Sequence, residues 1–228
     1  MGYFSDNIEN IHSELSSDHS DDGIQDPVNP HVPPPVFQQF TPVSEDTLRK
    51  VILGGNSKTC LLDPMPPYLL KETLPILLPT ICQIVNMSLS SCVVPDILKQ
   101  AAVTPLLKKP TLDVENFKNF RPVSNLAYIG KVIEKVAVSQ MEAHMTEHDM
   151  HEPFQSAYRA HHSTETALLR VSNDVLRSID RRQCVLLTLL DLSAAFDTID
   201  HGQFIDRMER DFGITGSARK WLESYFRD

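Results

Sequence analysis

No Cys-x-x-Cys pair occurs among the four cysteines of this 228-residue chain, so neither a structural zinc site nor a disulfide framework has a basis in its sequence. Cys60, Cys82, Cys92 and Cys184 are expected to be buried, reduced thiols of an intracellular protein, in the cytoplasm or the nucleus. Nor is there a run of roughly 18 apolar residues to cross a membrane, because Pro75 and Pro79 interrupt the longest candidate between Tyr68 and Val94. The opening MGYFSDNIENIHSEL lacks the basic flank and apolar centre of a secretory signal. A phosphate-cradling G-x-x-x-x-G-K-[ST] loop is missing too, since GGNSKT has the wrong spacing. Leu192 and Ser193 stand where an aspartyl-nucleophile phosphatase would want a second aspartate. No internal repeat is present. What remains is a globular chain without a membrane partner, long enough to bury a core without staples.

Charge is unevenly spread. Most of the net −9 lies before Lys58, in an acidic leader, so it does not exclude a nucleic-acid partner for the rest. Residues 1–15 carry Phe4, Ile8, Ile11 and Leu15 at helical spacing and predict an amphipathic helix. Residues 16–44, rich in acid, Ser and Pro around VPPPV, predict a disordered linker. Beyond it, Ser44 is placed to cap a short helix that ends at Gly54 or Gly55. The stretch from Asp63 to Pro95 predicts two helices broken near Pro75 and Pro79, with Ile81, Ile84, Val85 and Leu89 facing the core. QAAVTPLLKKP and FRPVSNL predict two strands of a hairpin whose tip is KPTLDVENFKN. Two long amphipathic helices follow: one carries Ile129, Val132, Ile133, Val136 and Met141 on one side, and the other opens at Ser163.

Next comes QCVLLTLLDL, nearly all apolar, as a strand covered on both faces would be. Two helices separated at Gly213 and Gly216 end the chain. Asp191 would sit at the carboxyl end of that buried strand, where a carboxylate can ligate a divalent ion that activates a phosphate. It would equally serve as a helix N-cap at a strand-to-helix turn. Asp197 and Asp200 cannot share the strand end, which leaves them helical or turn roles. His144, His148 and His151 have a spacing that superficially suits a metal, but the run reads better as a polar helix end. Lys108, Lys109 and Arg121 flank the hairpin and would suit a triphosphate or a nucleic-acid backbone, or simply a solvated charged surface.

Taken in order, five blocks resemble the reverse transcriptase domain of LINE-type non-LTR retrotransposons. SKTCLLDPMPPYLLK resembles the segment that opens the family's fingers, and VPDILKQAAVTPLLKKP with NFRPVSNLAYIGKVIEKV resembles its fingers strands and following helix. FQSAYRAHHSTETALL is similar to its Gln-x-Gly-[Phe/Tyr]-Arg-x-Gly-x-Ser-Thr block, and LLTLLDLSAAFDTIDH to motif A of the palm. The resemblance implies an α/β (α+β) fold: a truncated right-hand polymerase, with helical fingers and a short β-hairpin over 45–182 and a partial palm over 183–228. It implies an RNA-directed DNA polymerase that acts on an RNA template, a DNA primer and deoxynucleoside triphosphates through two magnesium ions. By the same resemblance Asp191 is the catalytic, metal-binding aspartate, and the Leu192 carbonyl assists it. Phe196 underlies the incoming sugar and selects deoxynucleotides. Lys108, Arg121 and Arg159 lie near the nucleotide, and Ser163 and Thr164 near the template. Asp197 and Asp200 match positions that are not metal ligands.

Two departures bear on this reading. Ala157 and His161 stand where the family pattern has glycine, so a backbone conformation that glycine adopts easily is expected to be lost there. The family's Ser-x-Gly-x-x-Gln-Gly segment and its Phe/Tyr-x-Asp-Asp hairpin do not occur in these residues. The chain alone is therefore expected not to polymerise DNA. The competing expectation is a non-catalytic remnant that holds nucleic acid or another protein.

Overall fold

The computed structural model describes residues 2–17, 33–55, 58–192 and 195–227. Helix α1 (Gly2–Ser17) matches the helix expected at the start, and α2 (Glu45–Leu53) begins where the Ser44 hydroxyl accepts the Thr47 amide at 3.3 Å. At its end, the Lys71 ammonium donates to the Leu53 carbonyl at 3.4 Å, one that the helix leaves over, and to the Gly55 carbonyl just beyond at 2.7 Å. Helix α3 (Pro67–Glu72) starts on a proline, and α4 (Leu74–Ser91) follows after Thr73.

The expected break at Pro79 does not occur. Pro79 lies inside α4 on its exposed side, while Leu78, Ile81 and Cys82 beside it are buried. One missing N–H on the water-facing side costs less than unseating those core residues would. Ile84, assigned to the core face, is exposed; Leu74, Leu78, Ile81, Val85 and Leu89 form that face instead. By length and composition this 18-residue helix would suffice to cross a membrane, but here its apolar face packs in the core against α2 and two later helices.

After a short helix α5 (Asp96–Lys99), strands β1 (Ala101–Leu107) and β2 (Phe120–Leu126) pair antiparallel, with Ala101 opposite Leu126 and Leu107 opposite Phe120. Pro105 faces Pro122. Neither proline has an N–H to offer, so both edges of the ribbon resist further pairing at that point. The next helix, α6 (Tyr128–Glu147), buries Val132, Ile133, Val136 and Met141 as its spacing predicts. Helix α7 (Thr164–Asp180) opens with a reciprocal Ser163–Thr166 capping box, but Leu168, Leu169, Leu176 and Ile179 are left exposed. Helices α8 (His201–Phe212) and α9 (Gly216–Phe226) close the chain, and α9 sends Ala218, Trp221 and Leu222 into the same core as α2, α4 and α6.

Of the expected linker, residues 18–32 lie outside the described residues, and residues 33–44 form an ordered strap. Phe37 makes a parallel bridge to Ile214: its amide donates to Gly213 at 2.8 Å, and the Thr215 amide donates to its carbonyl at 3.0 Å. Further along, the Thr41 and Val43 amides donate to Gln140 and Asn86. Phe40 is buried against Phe37 and Trp221. Proline-rich composition correctly signals an extended backbone, while the aromatic anchors hold that backbone to the core. Gly213, at φ +67, is required twice over, because a Cβ there would meet the Pro35 carbonyl oxygen at 2.0 Å.

The strand expected over QCVLLTLLDL is not formed. Residues 183–192 form no regular secondary structure and pair with no strand among the described residues, and Leu186 and Leu190 are 92% and 89% exposed. A continuous apolar strand is stable only between neighbours. The single sheet among the described residues is the β1–β2 hairpin. Cys184, expected to be buried, is exposed for the same reason, whereas Cys60 and Cys82 are buried and Cys92 is half-buried. Burial pushes the Cys82 thiol pKa up, with Glu45 adding to the rise.

Candidate functional site

Among the residues predicted to do chemistry, the hairpin pair is the best supported by regular structure. Lys108 follows β1 directly; its amide donates to Asn119 at 2.8 Å, and its ammonium donates to the Lys118 carbonyl at 2.7 Å, closing the tip. Arg121 sits on β2 opposite Leu106, exposed, with no ion-pair partner among the described residues. At the tip, the Phe117 ring lies 5.7 Å from that of Tyr3 on α1.

The base of the hairpin is held by a residue to which the sequence reading gave no role. Asp63 accepts the Tyr128 amide at 2.6 Å, capping α6, and its other oxygen accepts the Cys60 amide at 3.2 Å. The Cys60 thiol in turn donates to the Asn125 carbonyl on β2, and the buried Tyr128 hydroxyl donates to the Ile52 carbonyl at the end of α2. Burial raises the Tyr128 pKa, and the Asp63 charge raises it further. The available signal was Asp63 itself, an acid within an otherwise apolar and proline-rich stretch.

Glycine's replacement at two positions has separate outcomes. His161 adopts φ +64, the left-handed conformation that the family pattern reserves for glycine, so the expected loss of that conformation does not occur. At the other position, Tyr158 next to Ala157 takes the positive φ, +58. The loop is tied to its surroundings: Arg159 donates to the Glu152 carbonyl at 3.2 Å, and Arg170 donates to Pro153 while lying 4.5 Å from the Phe154 ring centre. Ser163 spends its hydroxyl on the α7 cap, with Thr164 beside it in the first turn. The Tyr158 ring then meets the Phe196 ring edge-on at 6.0 Å, which joins this block to motif A.

Asp191 and Leu192 are exposed on the unpaired segment, without hydrogen-bond or ion-pair partners among the described residues. Asp191 is not a helix cap; Asp200 is, accepting the Gln203 amide at 2.8 Å at the start of α8. Magnesium prefers six oxygen ligands. These residues offer the Asp191 carboxylate and the Leu192 carbonyl, and no group of three His, Cys, Asp or Glu side chains converges among the described residues. The Asp191 carboxylate and the Leu192 carbonyl are oxygen donors of the kind magnesium takes, and waters and substrate phosphates would have to supply the other positions. Of the three histidines, His144 is buried against the Phe212 carbonyl at 3.1 Å, and His151 bonds Thr146.

A model of the reverse transcriptase (RNA-dependent DNA polymerase) family matches residues 107–227, from the last residue of β1 through α9. The chain belongs to the reverse transcriptase family. It is 26% identical over 127 residues to a Drosophila melanogaster protein named "Probable RNA-directed DNA polymerase from transposon BS". It is 29% identical over 105 residues to the RNA-directed DNA polymerase from mobile element jockey of the same fly, and 29% over 103 residues to that of Drosophila funebris. These alignments cover 55%, 46% and 44% of this chain but only 14%, 11% and 11% of the relatives. A retrotransposon reverse transcriptase segment is therefore the reading that motif order and similarity share. Every residue predicted for nucleotide, template or metal lies inside the matched stretch.

Proposed function

We propose that this family member provides the fingers (45–182) and the opening of the palm (from 183) of a right-hand polymerase. The reaction it serves is template-directed transfer of deoxynucleotides to a primer 3′ hydroxyl on an RNA template, inside the cell. The observation that carries the reading is the edge-on contact of Tyr158 with Phe196, because it brings two separate motif blocks together beside the segment that bears Asp191. In this reading Lys108, Arg121 and Arg159 neutralise the triphosphate, while Ser163 and Thr164 lie along the template. Phe196 fills the space that a 2′ hydroxyl would need, and Asp191 with the Leu192 carbonyl contributes part of a magnesium site.

The test is direct. The purified chain is expected to bind a primed RNA template without extending it in magnesium and deoxynucleotides, and Asp191→Ala should leave that binding unchanged. Lys108→Ala with Arg121→Ala should weaken binding of a fluorescent deoxynucleoside triphosphate severalfold. Magnesium-dependent extension that Asp191→Ala abolishes would overturn the expectation of inactivity. Failure to bind either nucleic acid or nucleotide at low salt would overturn the reading as a whole.

A further inference from the structure

Helix α7 buries none of its side chains, although it carries a continuous apolar stripe. Its half-buried residues, Ala167, Val175 and Ser178, lie along one edge of that stripe, so the body of the chain covers the edge and leaves the rest open. Leu168 and Ile179 are 61% and 56% exposed. Along the stripe, Glu165, Leu168, Ser172, Val175, Ile179 and Arg182 follow one another at alternating intervals of three and four residues. This is the spacing of a coiled-coil seam, which keeps every position on the face turned toward a second helix. Five of the six stand on α7 itself, and Arg182 directly follows its C-cap, Arg181.

Read from either end, the seam has the same intervals, and its chemistry is complementary to its own reverse. When two copies of α7 lie antiparallel about a two-fold axis, Glu165 of one faces Arg182 of the other, Leu168 faces Ile179 and Ser172 faces Val175. Symmetry makes each pair twice. In the same register Leu169 of one copy and Leu176 of the other meet along the flank, and the small Ser172 near the axis lets the helices approach closely. A parallel alignment would instead set Glu165 beside Glu165 and Arg182 beside Arg182. Like charges there oppose that arrangement, so charge selects the antiparallel one. Neither Glu165 nor Arg182 has an ion-pair partner among the described residues, so the fold of one chain does not account for them.

We propose that α7 is a homodimer interface, in which the occupant of its open stripe is α7 of a second copy of this chain, packed antiparallel. The helix has 17 residues and is about 25 Å long. Its seam alone is smaller than the roughly 800 Å² that each partner gives to a standard interface, so the dimer is expected to be reversible in the micromolar range.

Sedimentation equilibrium of the full chain over a range of protein concentrations tests it, and should fit a monomer–dimer equilibrium. Glu165→Lys turns both end pairs into cation against cation, and Arg182→Glu turns both into acid against acid. Each is expected to weaken the dimer about tenfold. Combining them swaps the charges and should return the dissociation constant to within about twofold of the unsubstituted chain. A merely sticky flank would show no such rescue. Because neither side chain lies in the core, the helical circular dichroism should be unchanged in all three variants. A crosslink keeps the test open should a charge variant fold poorly. With the exposed Cys184 replaced by Ser, Leu168→Cys with Ile179→Cys should yield a disulfide-linked dimer on mild oxidation, whereas Leu168→Cys alone should not. The mass of a single chain at every concentration would overturn the proposal and leave the stripe to a different partner. Association that the charge variants leave unchanged would overturn it in favour of unspecific contact between apolar surfaces, and a linked dimer of Leu168→Cys alone would overturn the antiparallel register.

Discussion

His161 carries a backbone cost that its side chain does nothing evident to offset. A non-glycine residue in the left-handed region loses about 1–2 kcal/mol relative to its preferred conformations, and His161 does so at φ +64, two residues before the Ser163 cap. His161→Gly is therefore expected to tighten the loop, slowing hydrogen exchange at the first turn of α7. His161→Val, branched at Cβ, should accelerate that exchange about tenfold. The family pattern points to this position from sequence alone, since it marks where glycine belongs. The same pattern is silent about Tyr158, whose positive φ falls in a loop where Arg159 and Arg170 donate to the Glu152 and Pro153 carbonyls. Asp63 lies in the Leu-Asp-Pro of the block that resembles the family's opening segment, but its partners Tyr128 and Cys60 are brought to it by tertiary contact, which sequence spacing does not display.

At the scale of elements, helices and the hairpin were legible because each carries its own periodicity and its own stops. Ser44, Ser163 and the Pro105–Pro122 pair mark starts and edges through local chemistry. Two elements misled for opposite reasons. The strap over 33–44 has the composition of a linker, yet Phe37, Phe40 and Val43 give it an apolar face that only the assembled helices complete. The run over 183–192 has the composition of a core strand, yet no partner strand pairs with it among the described residues. Composition reports what a segment would bury; it does not report what is there to bury it against. Phe40→Ala is expected to cost about 3–5 kcal/mol, as for other buried aromatic truncations, read as a lower urea midpoint. Leu186→Ser, on the exposed run, should change stability by less than about 0.5 kcal/mol in the same titration.

For the whole molecule, the contrast between a well-packed helical core and an uncovered apolar flank predicts self-association. Leu168, Leu169, Leu176 and Ile179 of α7, together with Leu186, Leu189 and Leu190, expose an amount of apolar surface that seldom stays free in water. Sedimentation should therefore show mass rising with protein concentration, and Leu186→Lys with Leu190→Lys should shift the distribution toward monomer without changing the melting temperature. The bridge between Phe37 and Ile214 has a consequence of another kind, in the order of events during synthesis. The strap leaves the ribosome well ahead of its hydrogen-bond partners at Gly213, Thr215 and Ala218, which lie far along the chain from it. At ordinary translation rates of 5–20 residues per second the strap waits roughly 10–35 s for its seat. Throughout that interval Phe37 and Phe40 are open to chaperones, and the core cannot close until α9 has left the exit tunnel.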